Sequence, residues 1–471
     1  MILNFLAVKR YNLRATILWP STAIKANLIV FATSFFITAG QKPQKRSQKR
    51  EQSPDHRGNE STLAKITPGK LVILVFIPFA AGYFLSYLFR STNAIIAPQL
   101  TSEVGLDAGD LGFLTATYFL TFSLFQIPLG ILLDRYGPRK VQTILLLFAA
   151  FGAVLFSIGT STTILAMGRG FIGLGVAGCL MAAVKAATIW FDDRHWPLIN
   201  GSFLAIGGLG AVTATAPLEV MLAFVSWRDI FLFLAAATVM VSLLIFIIVP
   251  ERKTNILLPT LKHQIIELGS IYTNQEFWKC APLISTSLAA NMAIQGLWAG
   301  PWLKDVAKLD RGPIAEYLLL LALALAAGSL LTGALANWLE KFKISLLTFF
   351  TVSMLFFMAS QLVIIFELAP ASILPWLGFG LLANSAMVVY AHLTRFFPNE
   401  LSGRVITAVN VMTFGGVFLI QYLIGEIINF FPTEQTGAYS SEGFFWGFGL
   451  AFLTQFLSFI WYIFPRNRKV A

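Results

Sequence analysis

Twelve apolar runs of roughly 20 residues or more punctuate this chain, and a run of that length is what an α-helix needs to cross the hydrocarbon core of a bilayer. They cover residues 71–97, 111–133, 141–159, 163–190, 198–223, 227–249, 281–303, 313–339, 344–366, 373–396, 405–430 and 444–464, each bounded by charges, prolines or polar turns. Of the 471 residues, 56% are hydrophobic and only 12% charged, with 43 phenylalanines and a mean hydropathy of +0.73. A water-soluble core has no room for so many rings while leaving roughly a quarter of the surface charged. The expected fold class is an all-α membrane protein with 12 transmembrane helices.

Lysine and arginine resist translocation, so their distribution in short loops sets orientation. With the N-terminal tail placed inside, the inner loops and C-terminus hold fifteen of them, among them Arg135, Arg139, Lys140, Lys279, Arg395 and Arg404. The outer loops hold four: Arg228, Lys304, Lys308 and Arg311. Both termini are therefore expected in the cytoplasm, with the chain in a bacterial inner (plasma) membrane. The net charge of +11 reads as topology, because its bases sit in short clusters between apolar runs with no nucleic-acid-binding module among them. Cys179 and Cys280 form no disulfide framework and no metal-ligand spacing, so no metal and no cofactor is expected.

The longest inner connection, 250–280, divides the spans into an N-terminal bundle at 70–249 and a C-terminal bundle at 281–465, followed by a cytoplasmic C-terminus at 466–471. A weak repeat supports two duplicated six-helix halves: Gly130-Ile-Leu-Leu-Asp134 aligns with Gly333-Ala-Leu-Ala-Asn337, and Asn200-Gly201-Ser202 falls near Ser402-Gly403-Arg404. Residues 1–69 are expected to be a disordered or interfacial cytoplasmic tail, since their one apolar stretch, 26–39, is too short to span comfortably. An extra helix or a mis-assigned start are the alternatives.

Between the second and third spans stands Gly130-Ile-Leu-Leu-Asp134-Arg135-Tyr136-Gly137-Pro138-Arg139-Lys140. It resembles the signature inner loop of the major facilitator superfamily, Gly-x-x-x-Asp-Arg-x-Gly-Arg-Lys. Gly130 lets a neighbouring helix approach closely, Gly137 can take the left-handed backbone that closes one helix, and Pro138 suits the first turn of the next. Arg139 and Lys140 hold this end in the cytoplasm. The resemblance places Asp134 against the start of the eleventh span near Arg404, as a latch on one access state. It implies two pseudo-symmetric six-helix bundles that rock around a central site. Arg169-Gly-Phe-Ile-Gly173-Leu-Gly175 in the fourth span resembles the same superfamily's Arg-x-x-x-Gly-x-Gly pattern. There the glycines permit close packing, and Arg169 either faces a cavity or partner, contributing to gating, or snorkels to the outer headgroups.

Arg90 follows Gly82-Tyr83-Phe84-Leu85-Ser86-Tyr87 and precedes Ser91-Thr92-Asn93. This run resembles the first helix of the organophosphate and organic-anion branch, where an arginine in the central cavity binds an anion through its planar fork of donors. Lys185 is the second candidate base for substrate, and either residue could instead be a structural charge paired with a neighbouring helix. The seventh span, Asn291-Met-Ala-Ile-Gln295-Gly-Leu-Trp298, lacks the second arginine of the phosphate-ester branch. A carboxylate-type monoanion or a zwitterion is therefore expected, with Asn93, Asn291, Gln295 and Trp298 as further lining. Candidates for proton coupling are Glu219, His392 and Glu426, although the glutamates also fit interfacial positions and the histidine a packing role. No nucleotide-binding loop and no hydrolase or metalloprotease signature is present. The expected function is secondary active transport by a monomer, coupled to a proton or ion; a membrane sensor or a drug or metabolite efflux antiporter are the alternatives.

Overall fold

Polar caps set where the helices begin. Asp107, Ser161, Ser226, Asn274 and Ser440 each accept a hydrogen bond from a backbone N–H two or three residues ahead, satisfying donors that a helix start leaves orphaned. The computed structural model describes residues 68–192, 195–251, 266, 269–341, 346–394, 396–398, 401–433 and 438–464. The N-terminal tail to residue 67, most of the inter-bundle connection, Arg395 and the C-terminus lie outside the described residues.

In chain order the membrane helices are α1 (68–104), α2 (108–136), α3 (138–158), α4 (Thr162–Trp190), α5 (Leu198–Leu222), α6 (Trp227–Ile248), α7 (275–305), α8 (Arg311–Lys341), α9 (Leu346–Ile365), α10 (374–394), α11 (Ser402–Asn429) and α12 (Ser441–Ile463). Among the described residues, nine helices are long and apolar enough to cross a membrane. The difference from twelve lies in three places. α2 and α3 run on as one helix, Ala108–Ile158; α7, with its Ser, Thr, Asn and Gln residues, is not among the nine; and the apolar stretch of α10, Leu374–Tyr390, is shorter than the others. A π-helical turn at Ile294–Trp298 lies within α7 and a 3₁₀ turn at Ala383–Ala386 within α10. The α2–α3 break is confined to Gly137, whose φ of 78° and ψ of 159° are open to glycine without a Cβ penalty, and Pro138 then starts α3.

Glycines let backbones touch inside each bundle. A methyl group on Gly152 of α3 would lie 2.6 Å from the Gly168 carbonyl of α4, and one on Gly173 would overlap the Tyr118 carbonyl of α2. The second bundle repeats the device, with Gly328 of α8 against the Leu381 carbonyl of α10 and Gly380 of α10 against Leu321 of α8. Packing this close supplies the dispersion contacts that hold helices together where lipid removes the hydrophobic drive.

The bundles meet unevenly. At the end remote from the Asp134–Lys140 turn, Gly112 and Gly425 bring α2 and α11 into backbone contact, and the Ala108 N–H donates to the Asn429 side-chain oxygen at 3.1 Å. Gly300 of α7 lies on the Ala94 carbonyl of α1, and Glu219 of α5 pairs with Arg311 of α8 at 2.8 Å. Halfway along, the Ser123 hydroxyl donates to the Val411 carbonyl at 2.9 Å. At the turn end, a Cβ on Gly130 would meet nothing within 4 Å. The close helix approach expected at Gly130 is not made by the described residues in this conformation.

Candidate functional site

Arg90 stands on α1 where the bundles face each other. Its guanidinium carbon lies 4.6 Å from the Tyr87 ring centroid, 5.6 Å from that of Phe122 on α2 and 5.7 Å from that of Phe414 on α11. The Phe122 and Phe414 rings are themselves 4.3 Å apart, so residues of both bundles make one aromatic floor under the cation. Tyr83, one turn before Tyr87 on the same face, packs edge-on against it at 5.1 Å, and Gly207 of α5 leaves the space both tyrosines fill. Ion pairs among the described residues engage Arg139, Lys140, Lys185, Arg228, Lys304 and Arg311, and none engages Arg90. Its Nε is buried without a hydrogen-bond partner among these residues.

The remaining lining candidates divide. Asn93 is buried and donates to the Thr115 hydroxyl of α2 at 2.8 Å, tying α1 to α2. Asn291 is buried with its side-chain oxygen unpartnered among the described residues, and Gln295 lines a small cleft with Ser91 and Ala94 of α1 and Thr215 of α5. Trp298 is fully buried in the second bundle, its indole N–H donating to the Gln421 carbonyl at 3.1 Å. Lys185 does not reach toward Arg90: its ammonium pairs with Asp134 at 2.7 Å. Sequence reasoning did not put Tyr118, Phe122 or Phe414 in the site. The spacing of Tyr118 and Phe122, one helical turn apart, was a readable signal; nothing local marked Phe414.

Around the turn, Asp134 therefore meets α4 through Lys185, within its own bundle. Arg139 donates to the Phe246 carbonyl of α6 at 2.9 Å, Glu251 pairs with Lys140 at 2.5 Å, and Arg135 lies over the ring of its neighbour Tyr136. Arg404 is half-buried in the first turn of α11. Both Lys185 and Asp134 keep roughly a third of their side chain accessible, so the pair is a modest contributor, ~1 kcal/mol or less. Lys185→Met is expected to lower the thermal midpoint slightly, and adding Asp134→Asn to recover part of the loss, since the lone carboxylate costs more than the missing pair; a thermal unfolding series in detergent reads this directly.

Arg169 is fully buried and does not reach a membrane face. Its Nη1 donates to the Phe89 carbonyl at 3.0 Å, and its guanidinium lies 5.0 Å from the Tyr118 ring centroid. Of the coupling candidates, Glu219 pairs with Arg311, and Glu426 faces Gly109 at the α2–α11 seam within bonding reach of Tyr422. The His392 side chain lies outside the described residues.

Known proteins share this architecture and parts of this sequence. The "Probable L-galactonate transporter" of Escherichia coli (strain K12) is 23% identical over 61% of this chain and 66% of its own. The "Probable sulfoacetate transporter SauU" of Cupriavidus necator is 28% identical over 33% of this chain and 36% of its own, and the Escherichia coli (strain K12) "Hexuronate transporter" is 26% identical over 42% and 50%. The chain thus spans between about a third and two thirds of the length of these relatives. Among solved structures, a bacterial homologue of the human lysosomal transporter Spinster, in an inward-facing and unoccupied conformation, superposes with a TM-score of 0.66 at 16% identity, over 84% of this chain and 97% of that one. The nucleoside transporter NupG matches at 0.66 and 11% identity, over 83% and 99%. The family model described as Major Facilitator Superfamily matches residues 79–421, which run from within α1 to within α11 and include Arg90 and the Asp134–Lys140 turn: the chain belongs to this superfamily.

Proposed function

We propose that this chain is a secondary active transporter that carries a small carboxylate-type organic anion across a bacterial plasma membrane by alternating access. The observation that carries the reading is Arg90, a cation at the meeting of the two bundles that no carboxylate among the described residues pairs with. A charge in a membrane helix is expensive, so a guest that supplies the counter-charge is the economical reason for its presence. The fork of a guanidinium takes a carboxylate in two parallel hydrogen bonds. The neutral side chains of Asn291 and Gln295 on α7 add no second positive charge, which favours a monoanion over a phosphate dianion. Three matched relatives are named for carboxylate-bearing anions, sulfoacetate, L-galactonate and hexuronate, the first of which carries a sulfonate as well.

The excess of lysine and arginine on the loops of the turn end supports a cytoplasmic position for that end and for both termini. On that orientation the conformation described is open inward and closed outward, and the monomer is the transporting unit. Glu219–Arg311 is then part of the outer closure. Glu219→Gln or Arg311→Gln is expected to raise thiol labelling of Ala322→Cys from the outer face by about two- to fivefold, the population shift that an exposed pair of ~1 kcal/mol or less can hold. Exchanging the two charges should restore the wild-type level. The native Cys179 and Cys280 are both buried, which keeps the background low.

Reconstitution tests the function itself. Proteoliposomes preloaded with unlabelled glucuronate should accumulate labelled glucuronate by counterflow, and a panel of acetate, galactonate, amino acids and phosphate esters should compete in the order monocarboxylate before phosphate ester. Binding without accumulation would make the protein a sensor. Preferred transport of uncharged or cationic compounds would remove the anion reading.

A further inference from the structure

We infer that Arg169 is a positioning residue for Arg90: from α4 it fixes the peptide group at the root of the Arg90 side chain and the ring of Tyr118, which stacks on the aromatic floor beneath its guanidinium. The inference deepens the anion-site reading above and rests on it for its meaning, though not for its geometry.

The Phe89 carbonyl and the Arg90 N–H belong to one planar peptide unit, so a donor held on that oxygen restrains where the Arg90 Cα sits. Arg169 Nη1 is that donor, at 3.0 Å, reaching across 80 residues of sequence. The same guanidinium covers the Tyr118 ring, 5.0 Å from its centroid, and the buried Tyr118 hydroxyl has no hydrogen-bond partner among the described residues. Tyr118 stacks on Phe122 at 6.1 Å, and Phe122 belongs to the floor beneath Arg90. Two links, one through the α1 backbone and one through the α2 rings, therefore run from Arg169 to the same cation.

Stability alone does not account for the residue. Arg169 is fully buried, yet its Nε and Nη2 have no hydrogen-bond partner among the described residues, and no ion pair among them engages it. An apolar side chain in that place would avoid the cost of an arginine that is only partly satisfied. What the arginine adds is reach and direction: an oriented donor on one specific carbonyl and a flat cation on one specific ring. A binding group must be held by neighbours whose own positions are fixed, and misplacement by about an ångström costs on the order of 10²-fold in a site of this kind.

The test uses full-length protein labelled with [15N]arginine, the Arg90 Nε–H signal being assigned by its disappearance in Arg90→Lys. Arg169→Met removes both donor and cation; Arg169→Gln keeps a donor for the Phe89 carbonyl; Tyr118→Leu removes the ring that Arg169 covers and that stacks on Phe122. The Arg90 signal is expected to shift or broaden in Arg169→Met, to return toward wild type in Arg169→Gln, and to move in Tyr118→Leu. Affinity for glucuronate should fall by about tenfold or more in Arg169→Met while the maximal counterflow rate changes less. A purely structural role would lower the thermal midpoint and leave the Arg90 signal of the folded fraction in place, and that result, in Arg169→Met or in Arg169→Gln if the methionine variant does not fold, overturns the proposal. Should Arg90→Ala bind glucuronate as wild type does while Arg169→Met still moves the Arg90 signal, the anion-site reading fails and the positioning stands.

Discussion

Arg90→Ala is expected to weaken binding of a carboxylate such as glucuronate by on the order of 10²- to 10³-fold and to abolish counterflow. Removing one member of a desolvated charge pair costs about 2–5 kcal/mol, most of it the penalty on the partner left behind, and here the partner is the bound anion. Arg90→Lys should fall between: it keeps the charge over the Tyr87 and Phe122 rings but loses the two-pronged geometry. The ligand-free variant should show the opposite trend. Without substrate, Arg90 is a cation unpaired among the described residues, so the empty alanine variant should melt no lower than wild type even as its ligand-induced shift disappears. Thermal unfolding with and without glucuronate measures both. A shift that survives in Arg90→Ala removes the anion site.

Gly173→Leu carries the second large effect, on folding rather than binding. A Cβ at that position overlaps the Tyr118 carbonyl, and the neighbour is backbone, which cannot swing aside as a side chain could. α4 would have to leave α2, taking with it the Gly168–Gly152 approach to α3 and the Arg169 contacts. A loss of several kcal/mol is expected, seen as aggregated rather than monodisperse detergent-solubilised protein. Gly201→Leu is the matched control: a Cβ there meets nothing within 4 Å, and the change should be within ~0.5 kcal/mol. Equal behaviour of the two variants would show that backbone contact between α2 and α4 is not what the glycine provides.

Local features were legible in the sequence and pairings across the fold were not. Gly137 followed by Pro138 announced its own break, because a left-handed φ and a fixed φ need no distant partner to act. Glycine spacing on α4 likewise announced close packing, though not against which helix. The π turn at Ile294–Trp298 was invisible, since an extra residue per turn leaves hydropathy unchanged. Lys185 read as a lone buried base because its carboxylate, Asp134, is 51 residues away and was assigned to α11 by resemblance. Arg90 could be singled out from the cost of its charge, whereas the Phe414 side of its floor depends on how two bundles dock, which periodicity within one helix does not encode. Trp298 shows the converse: an indole on a promising helix, committed to the Gln421 carbonyl by tertiary packing alone.

The glycine seam between α2 and α11 has a kinetic consequence. Where Gly112 and Gly425 meet, main chain lies on main chain, with the Trp298 ring beside both glycines. On the alternating-access reading, that point of contact can part without a rotamer turning first, whereas the rings packed across the same face, Phe113 on Tyr422 and Phe119 and Phe122 on Phe414, must unstack as the bundles swing. The frictional resistance to the swing would then sit in those rings and in the polar ties across the seam, the Asn429 bond to Ala108 foremost.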